Sequence, residues 1–179
     1  YSENLSVRFF TFLPILWEYS KLLLAPVGLH MERGGIVYTS LFQWPVWPIF
    51  LALAGLIVWL RFLYKKSLPS FKIWFLGLGW FFIALGPVSG LTPINALLYE
   101  HWLYLPMAGF WLIASFYLVK LFDYFKLKKN VVGYTLLAIG LVSYLSFFAY
   151  QAVQRNILWG KPAEFYKDIL RYEPASARI

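Results

Sequence analysis

The chain reads as an all-α polytopic membrane protein, a bundle of about five spans followed by the start of an external helical-repeat domain. Three observations predict this. Residues 45–60, 73–89, 102–119 and 131–150 form long apolar runs without a single charged side chain, at or near the roughly 20 residues a spanning helix needs. The composition is 61% hydrophobic and only 13% charged, whereas a soluble domain is about half apolar and about a quarter charged. The loops between these runs carry sharply unequal positive charge. Residues 1–153 are expected to be the membrane bundle, and residues 154–179 an external amphipathic segment.

The first segment, residues 5–29, is the most interrupted, carrying Pro14, Glu18, Lys21 and Pro26. Glu18 and Lys21 stand three apart, so a helix puts them on one face as a pair. Charges at membrane depth face a protein interior or water, which suggests an interfacial or bundle-buried helix, counted here as the first of the five spans. A loop over residues 28–44 follows, with His30, Glu32 and Arg33 ahead of Gly34 and Gly35. The second span leads into a basic stretch with Arg61, Lys65, Lys66 and Lys72. The third span ends at Gly86 and Pro87. The next loop passes Pro93 and Asn95 to reach Glu100 and His101. The fourth span contains Pro106. Lys120, Lys126, Lys128 and Lys129 then mark a second basic stretch, opposed only by Asp123, ahead of the fifth span.

Eight Lys/Arg thus lie on one side and Arg33 alone in the two opposite loops. The positive-inside bias makes the basic loops cytoplasmic. The loops over residues 28–44 and 88–101, and the tail, then face outward, and five spans imply a cytoplasmic start. Trp44, Trp47, Trp59, Trp74, Trp102 and Tyr150 lie near span ends, where an aromatic belt belongs. Gly77, Gly79, Gly86, Gly133 and Gly140 permit close helix approach without a strict GxxxG pair.

In the tail, Pro162 suits a first helical position. Phe165, Ile169 and Tyr172 recur at i, i+4 and i+7. A helix over residues 162–172 is expected, too short to stand alone and needing a covering surface. The net charge of +8 sits at helix ends rather than along one face, which excludes nucleic acid as a partner. There are no cysteines, so disulfides and thiolate metal sites are excluded. The sequence begins at Tyr1 and shows no signal peptide, which is expected of an internal piece of a longer protein.

Chemistry has two places to sit, both in outward loops. One is His30-Met-Glu32-Arg33-Gly-Gly; the other is Asn95 to Pro106, containing Tyr99, Glu100, His101, Trp102 and Tyr104. A glutamate serves as base or metal ligand, and arginine or a histidinium holds a phosphate oxygen. The plainer alternative is that these are boundary side chains, solvated or snorkelling. A His/Glu metal site drawn from both loops is unspecific, and no metal or other cofactor is expected. No nucleotide loop, GxSxG, HExxH or dinucleotide fingerprint occurs.

The segments KLLLAPVGLH, LTPINALLYEHWLYLPMAGF and RNILWGKPAEFYKDILRYEPASARI, in this order, resemble the C-terminal membrane half of tetratricopeptide-repeat-containing polytopic glycosyltransferases. These are the transmembrane O-mannosyltransferases with lumenal repeats and their bacterial and archaeal relatives. The most specific block is YEHWLYLPMAGF, where Glu100, Leu103, Tyr104 and Pro106 match the family's Glu-Arg-x-Leu-Tyr-x-Pro. His101 stands where arginine is usual, leaving a cation conditional on pH. The resemblance implies the C-type glycosyltransferase superfamily, which uses polyprenyl-phosphate sugars, with the catalytic acid in a first outer loop ahead of Tyr1. The present stretch would then supply donor contacts, with Glu32, Arg33, Asn95, Glu100, His101 and Tyr104 as candidates. It would also anchor the repeats that meet a protein or glycan acceptor. The expected location is the plasma membrane of a bacterium or archaeon rather than the endoplasmic reticulum. Two other readings stay open: a non-catalytic anchor or assembly subunit presenting helical repeats, and an envelope enzyme of the O-antigen ligase or polymerase kind.

Overall fold

The computed structural model describes residues 4–30, 35–90 and 97–172. They form six α-helices: α1 (Leu5–Leu24), α2 (Val46–Lys66), α3 (Leu68–Leu85), α4 (Met107–Leu127), α5 (Val131–Trp159) and α6 (Pro162–Tyr172). Short 3₁₀ turns follow α3 at Gly86–Val88 and precede α4 at Glu100–Leu103. No strand occurs among the described residues.

Four helices have the length and composition to cross a membrane: Val46–Lys66, Leu68–Val88, Met107–Leu127 and Val131–Trp159. They alternate up and down. Ser67 alone joins α2 to α3, and Lys128, Lys129 and Asn130 join α4 to α5. Both basic turns therefore lie at one end of the bundle. The loops before α2 and α4 lie at the other, called here the loop end. α2, α3 and α4 run past their apolar stretches to take in flanking lysines, and α5 runs on to Arg155. At α5 the overrun is largest: its 29 residues rise about 43 Å at 1.5 Å each, against a hydrocarbon core of about 30 Å. α5 is thus about two and a half turns longer than that core, and the helix continues unbroken through residue 153.

Two expectations need correction. The fourth span begins at Met107, not near Trp102, because Pro106 has no N–H to give to a preceding turn and disfavours helix in the residue before it. The residues ahead of it form the 3₁₀ turn instead. The first segment is also not among the four candidate spans. It holds Arg8, Glu18 and Lys21, with Glu18 and Lys21 paired at 2.6 Å. Yet α1 is the most enclosed helix, burying Thr11, Phe12, Leu13, Ile15, Leu16, Tyr19, Leu22 and Leu23, while α5 buries no residue completely. A lipid-facing helix must be apolar outward, and a protein-facing one need not be.

Among the described residues, α1 hydrogen-bonds two loop-end segments and the middle of α5. The Thr11 hydroxyl accepts from the Tyr38 amide at 3.0 Å. The Tyr19 hydroxyl donates to the Tyr99 carbonyl at 3.4 Å. The Leu24 carbonyl accepts from the Tyr144 hydroxyl at 2.7 Å. We therefore place α1 against the outward half of the four spans, with both its ends on that side. On this placement α1 would not be a fifth crossing, and the chain would start on the outward side. Cysteine at Asn4 should then react with a membrane-impermeant maleimide from outside the cell, as should cysteine at Trp159. Cysteines at Lys65 and Lys128 should react only after permeabilisation. Protection of position 4 in intact cells would restore the fifth crossing.

Candidate functional site

The site begins where α1 stops. Ala25 turns extended after the last helical residue, and Gly28 takes φ +62°, a left-handed conformation that glycine adopts without a Cβ clash. This reverses the chain and delivers His30 back toward the bundle. The Pro26 carbonyl accepts a hydrogen bond from the Gln151 side chain, tying the reversal to α5.

On the other side, the segment 97–106 is pinned by its apolar residues. Leu98 and Leu103 are buried in the core, Pro106 is fully enclosed, and the Trp80 indole N–H donates to the Leu105 carbonyl at 2.9 Å. Between these anchors the 3₁₀ turn opens with Glu100. Its carboxylate Oε1 accepts the backbone N–H of His30 at 2.8 Å. Two loops separated by 70 residues are thus clasped by one acid. The His30 ring is fixed twice. Its Nδ1 lies 2.7 Å from the Gly28 carbonyl, which can only accept, so Nδ1 carries the proton and Nε2 is left to act outward. Its face stacks on Tyr172 of α6 at 4.1 Å and 7°.

Two cavities flank the clasp. One of about 350 Å³ is lined by His30 with Thr11, Glu18, Tyr38 and Leu97. The other, about 200 Å³, lies between α1, α4 and α5. It is walled by Leu22, Leu29, Leu103 and Trp111, with Glu100 and Gln151 as its polar members. One wet wall in an otherwise apolar slot is the form expected of a site that holds a chain and fixes a polar head.

The sequence-derived candidates separate here. Glu100 is half-buried and central. His101 is exposed; its ring stacks on Tyr99 at 5.2 Å and meets Trp102 edge-on at 6.1 Å. Tyr104 is 80% exposed and takes no part in the clasp. Glu32, Arg33 and Asn95 lie outside the described residues. Among the described residues no three His, Cys, Asp or Glu side chains converge on a point that would hold a metal.

The sequence reading passed over three groups of the site. The first is the backbone N–H of His30, which no side-chain pattern reveals. The second is Gln151, the first amide after the uncharged run 131–150. The third is the pairing of Tyr172, read only as part of the tail's apolar stripe, with the His30 ring of the first loop. The helix expected over residues 162–172 is α6, and its apolar face is covered from within. Ile169 is buried, Phe165 meets Trp159 edge-on at 5.9 Å, and Arg155 pairs with Asp168 at 3.1 Å. Arg155→Ala should loosen α6, because a guanidinium fork lost from a mostly covered pair leaves Asp168 uncompensated. Trypsin cleavage after Lys167 and Arg171 should then quicken several-fold. Unchanged cleavage would mean that packing at Ile169 alone holds the helix.

No family model matches the chain, and no curated protein or solved structure matches it.

Proposed function

We propose that this chain is the C-terminal membrane portion of a glycosyltransferase that takes sugar from a polyprenyl-phosphate-linked donor on the outward face and passes it to a protein or glycan acceptor. The observation that carries the reading is the clasp. Glu100, the acid of the YEHWLYLP block, fastens the first outward loop to the second through the His30 amide. It does so beside an apolar slot that opens between helices. A lipid-phosphate donor asks for that combination: an apolar channel for the chain, and hydrogen-bonding groups at headgroup depth for the phosphate. Glu100 then orients rather than binds the anion. The cation falls to Arg33 and His101, with the Nε2 of His30 as a further donor when that ring is protonated. Glu32, Asn95 and Tyr104 remain candidates for the sugar. The catalytic acid belongs to an earlier outer loop of the full-length enzyme, and no metal is invoked.

The test is sugar transfer by the full-length protein from a short-chain polyprenyl-phosphate sugar. His101→Arg, which restores the family's residue, should keep transfer. His101→Ala and Arg33→Ala should each lower it about tenfold or more, the loss of a charge-assisted contact to the anion, at unchanged expression. Normal transfer by both alanine variants would dismiss the site.

The anchor reading draws on a different observation, the docking of α6 onto the last turns of α5 through Arg155–Asp168. In that case the bundle holds a repeat array at a set angle above the membrane and catalyses nothing. Transfer activity that is absent from the full-length protein, with partner binding intact, would favour it.

A further inference from the structure

We propose that the basic end of the bundle is a docking surface for anionic phospholipid headgroups in the leaflet it faces. The argument is independent of the chemistry assigned to the opposite end. The α2–α3 and α4–α5 regions hold eight Lys/Arg against a single acid, Asp123. All eight are exposed. Among the described residues none of them has an ion-pair partner. The described pairs, Glu18–Lys21, Arg155–Asp168 and Lys161–Glu164, belong to α1 and the tail. Asp123 apart, the positive field is therefore uncompensated among the described residues.

The packing of α3 on α4 gathers that field into one surface. Lys120, within α4, donates from Nζ to the buried Ser70 hydroxyl at 3.4 Å. Ser70 in turn takes a hydrogen bond from Ser67, the single residue of the α2–α3 turn, at 3.0 Å. The two basic regions are thus linked across the seam. Depth is set by aromatic rings. The Lys120 ammonium lies 4.3 Å over the Phe116 ring and the Lys66 ammonium 5.2 Å over the Phe62 ring, cation–π contacts that keep both charges beside aromatic surface. One or two turns further in, the Trp74 indole N–H donates to the Tyr117 hydroxyl at 2.8 Å, as amphipathic rings do at the membrane interface. Exposed cations just outside an aromatic layer stand at the level of lipid phosphates. Anionic lipids of the cytoplasmic leaflet attract lysines placed there. The occupant is accordingly a lipid. The turns are too short to fold around a polymeric anion, and the cations ring the helix ends that lipid must contact.

The experiment is thermal unfolding of the detergent-solubilised protein titrated with dioleoylphosphatidylglycerol, dioleoylphosphatidylcholine or inorganic phosphate. Phosphatidylglycerol should raise the melting temperature at a concentration about tenfold below that at which phosphatidylcholine acts. Roughly 0.5 M sodium chloride should abolish the difference, since exposed charges are screened at that ionic strength. The combined variant Lys65→Gln, Lys66→Gln, Lys128→Gln, Lys129→Gln should lose the preference, and the corresponding arginine variant should retain it. Equal action of the two lipids, a preference that survives high salt, an equal shift with inorganic phosphate, or a preference kept by the glutamine variant would each overturn the proposal. If the glutamine variant does not accumulate, the lipid and salt comparisons on the unmodified protein decide.

Discussion

Alanine at Gly109 should lower the melting temperature more than alanine at any other glycine of the spans. A Cβ at Gly109 would meet the Gly77 carbonyl oxygen at 2.1 Å and the Phe81 amide nitrogen at 3.0 Å. Both are backbone atoms of α3, so no side-chain rotation relieves the clash. A Cβ at Gly77 would meet the Gly109 carbonyl oxygen and the Ile113 side chain, each at 2.6 Å. The two glycines let α3 and α4 touch backbone to backbone, a recurrent way of associating helices where lipid removes the hydrophobic drive. Forcing the helices apart also strains Trp74–Tyr117 and Trp80–Leu105, the hydrogen bonds on either side of the contact. Overpacking costs about 1–3 kcal/mol, and a backbone clash belongs at the upper end. For a chain of this size that is about 2–4 °C per kcal/mol. The controls are internal. Gly79 and Gly140 have nothing within 4 Å of an added Cβ. Alanine there should be neutral or slightly stabilising, since glycine in a helix interior costs up to about 1 kcal/mol. Equal melting of the Gly109 and Gly79 variants would show that the seam gives way freely.

What the sequence made legible follows from what the bilayer demands. The four long helices able to cross a membrane are apolar on nearly every face and bury little against protein, so plain hydropathy locates them. The tail helix was readable for the opposite reason. Its apolar stripe at Phe165 and Ile169 is narrow and set in polar residues, and Pro162 marks its start. The segment over residues 5–29 was legible through its charges and prolines, which suggested an interfacial or bundle-buried helix with a Glu18–Lys21 pair. They fit a helix shielded by the others, where Thr11 and Tyr19 find partners in loops 27 and 80 residues away. The Gly77–Gly109 contact was illegible because its partners lie on different helices, and a search for glycines four apart cannot pair them. The clasp was half legible. Glu100 stood out by its block, but its partner is a backbone amide, which any residue at position 30 would present.

Glu100→Gln and Glu100→Ala should separate the two tasks of that carboxylate. Glutamine keeps an oxygen for the His30 amide at nearly the same reach, so the loops stay clasped, but it removes the negative charge. Alanine removes both. If Glu100 acts only as a fastener, glutamine should support normal sugar transfer in the full-length enzyme. Alanine should then lower stability by about 1–3 kcal/mol, the cost of a covered amide left without its acceptor. If its charge also orients a cation toward the donor phosphate, glutamine should fold normally and lose transfer by about 10- to 100-fold, the loss of one charge-assisted hydrogen bond. The second outcome is expected. Glu100 is half-buried at the one polar edge of an apolar slot. A carboxylate in such surroundings is costly unless a positive partner shares the desolvation, whereas a neutral amide would satisfy the His30 N–H without that cost. Full transfer by the glutamine variant, with a melting temperature matching the unmodified enzyme, would reduce Glu100 to a fastener. The phosphate contacts would then have to come from elsewhere in the loops.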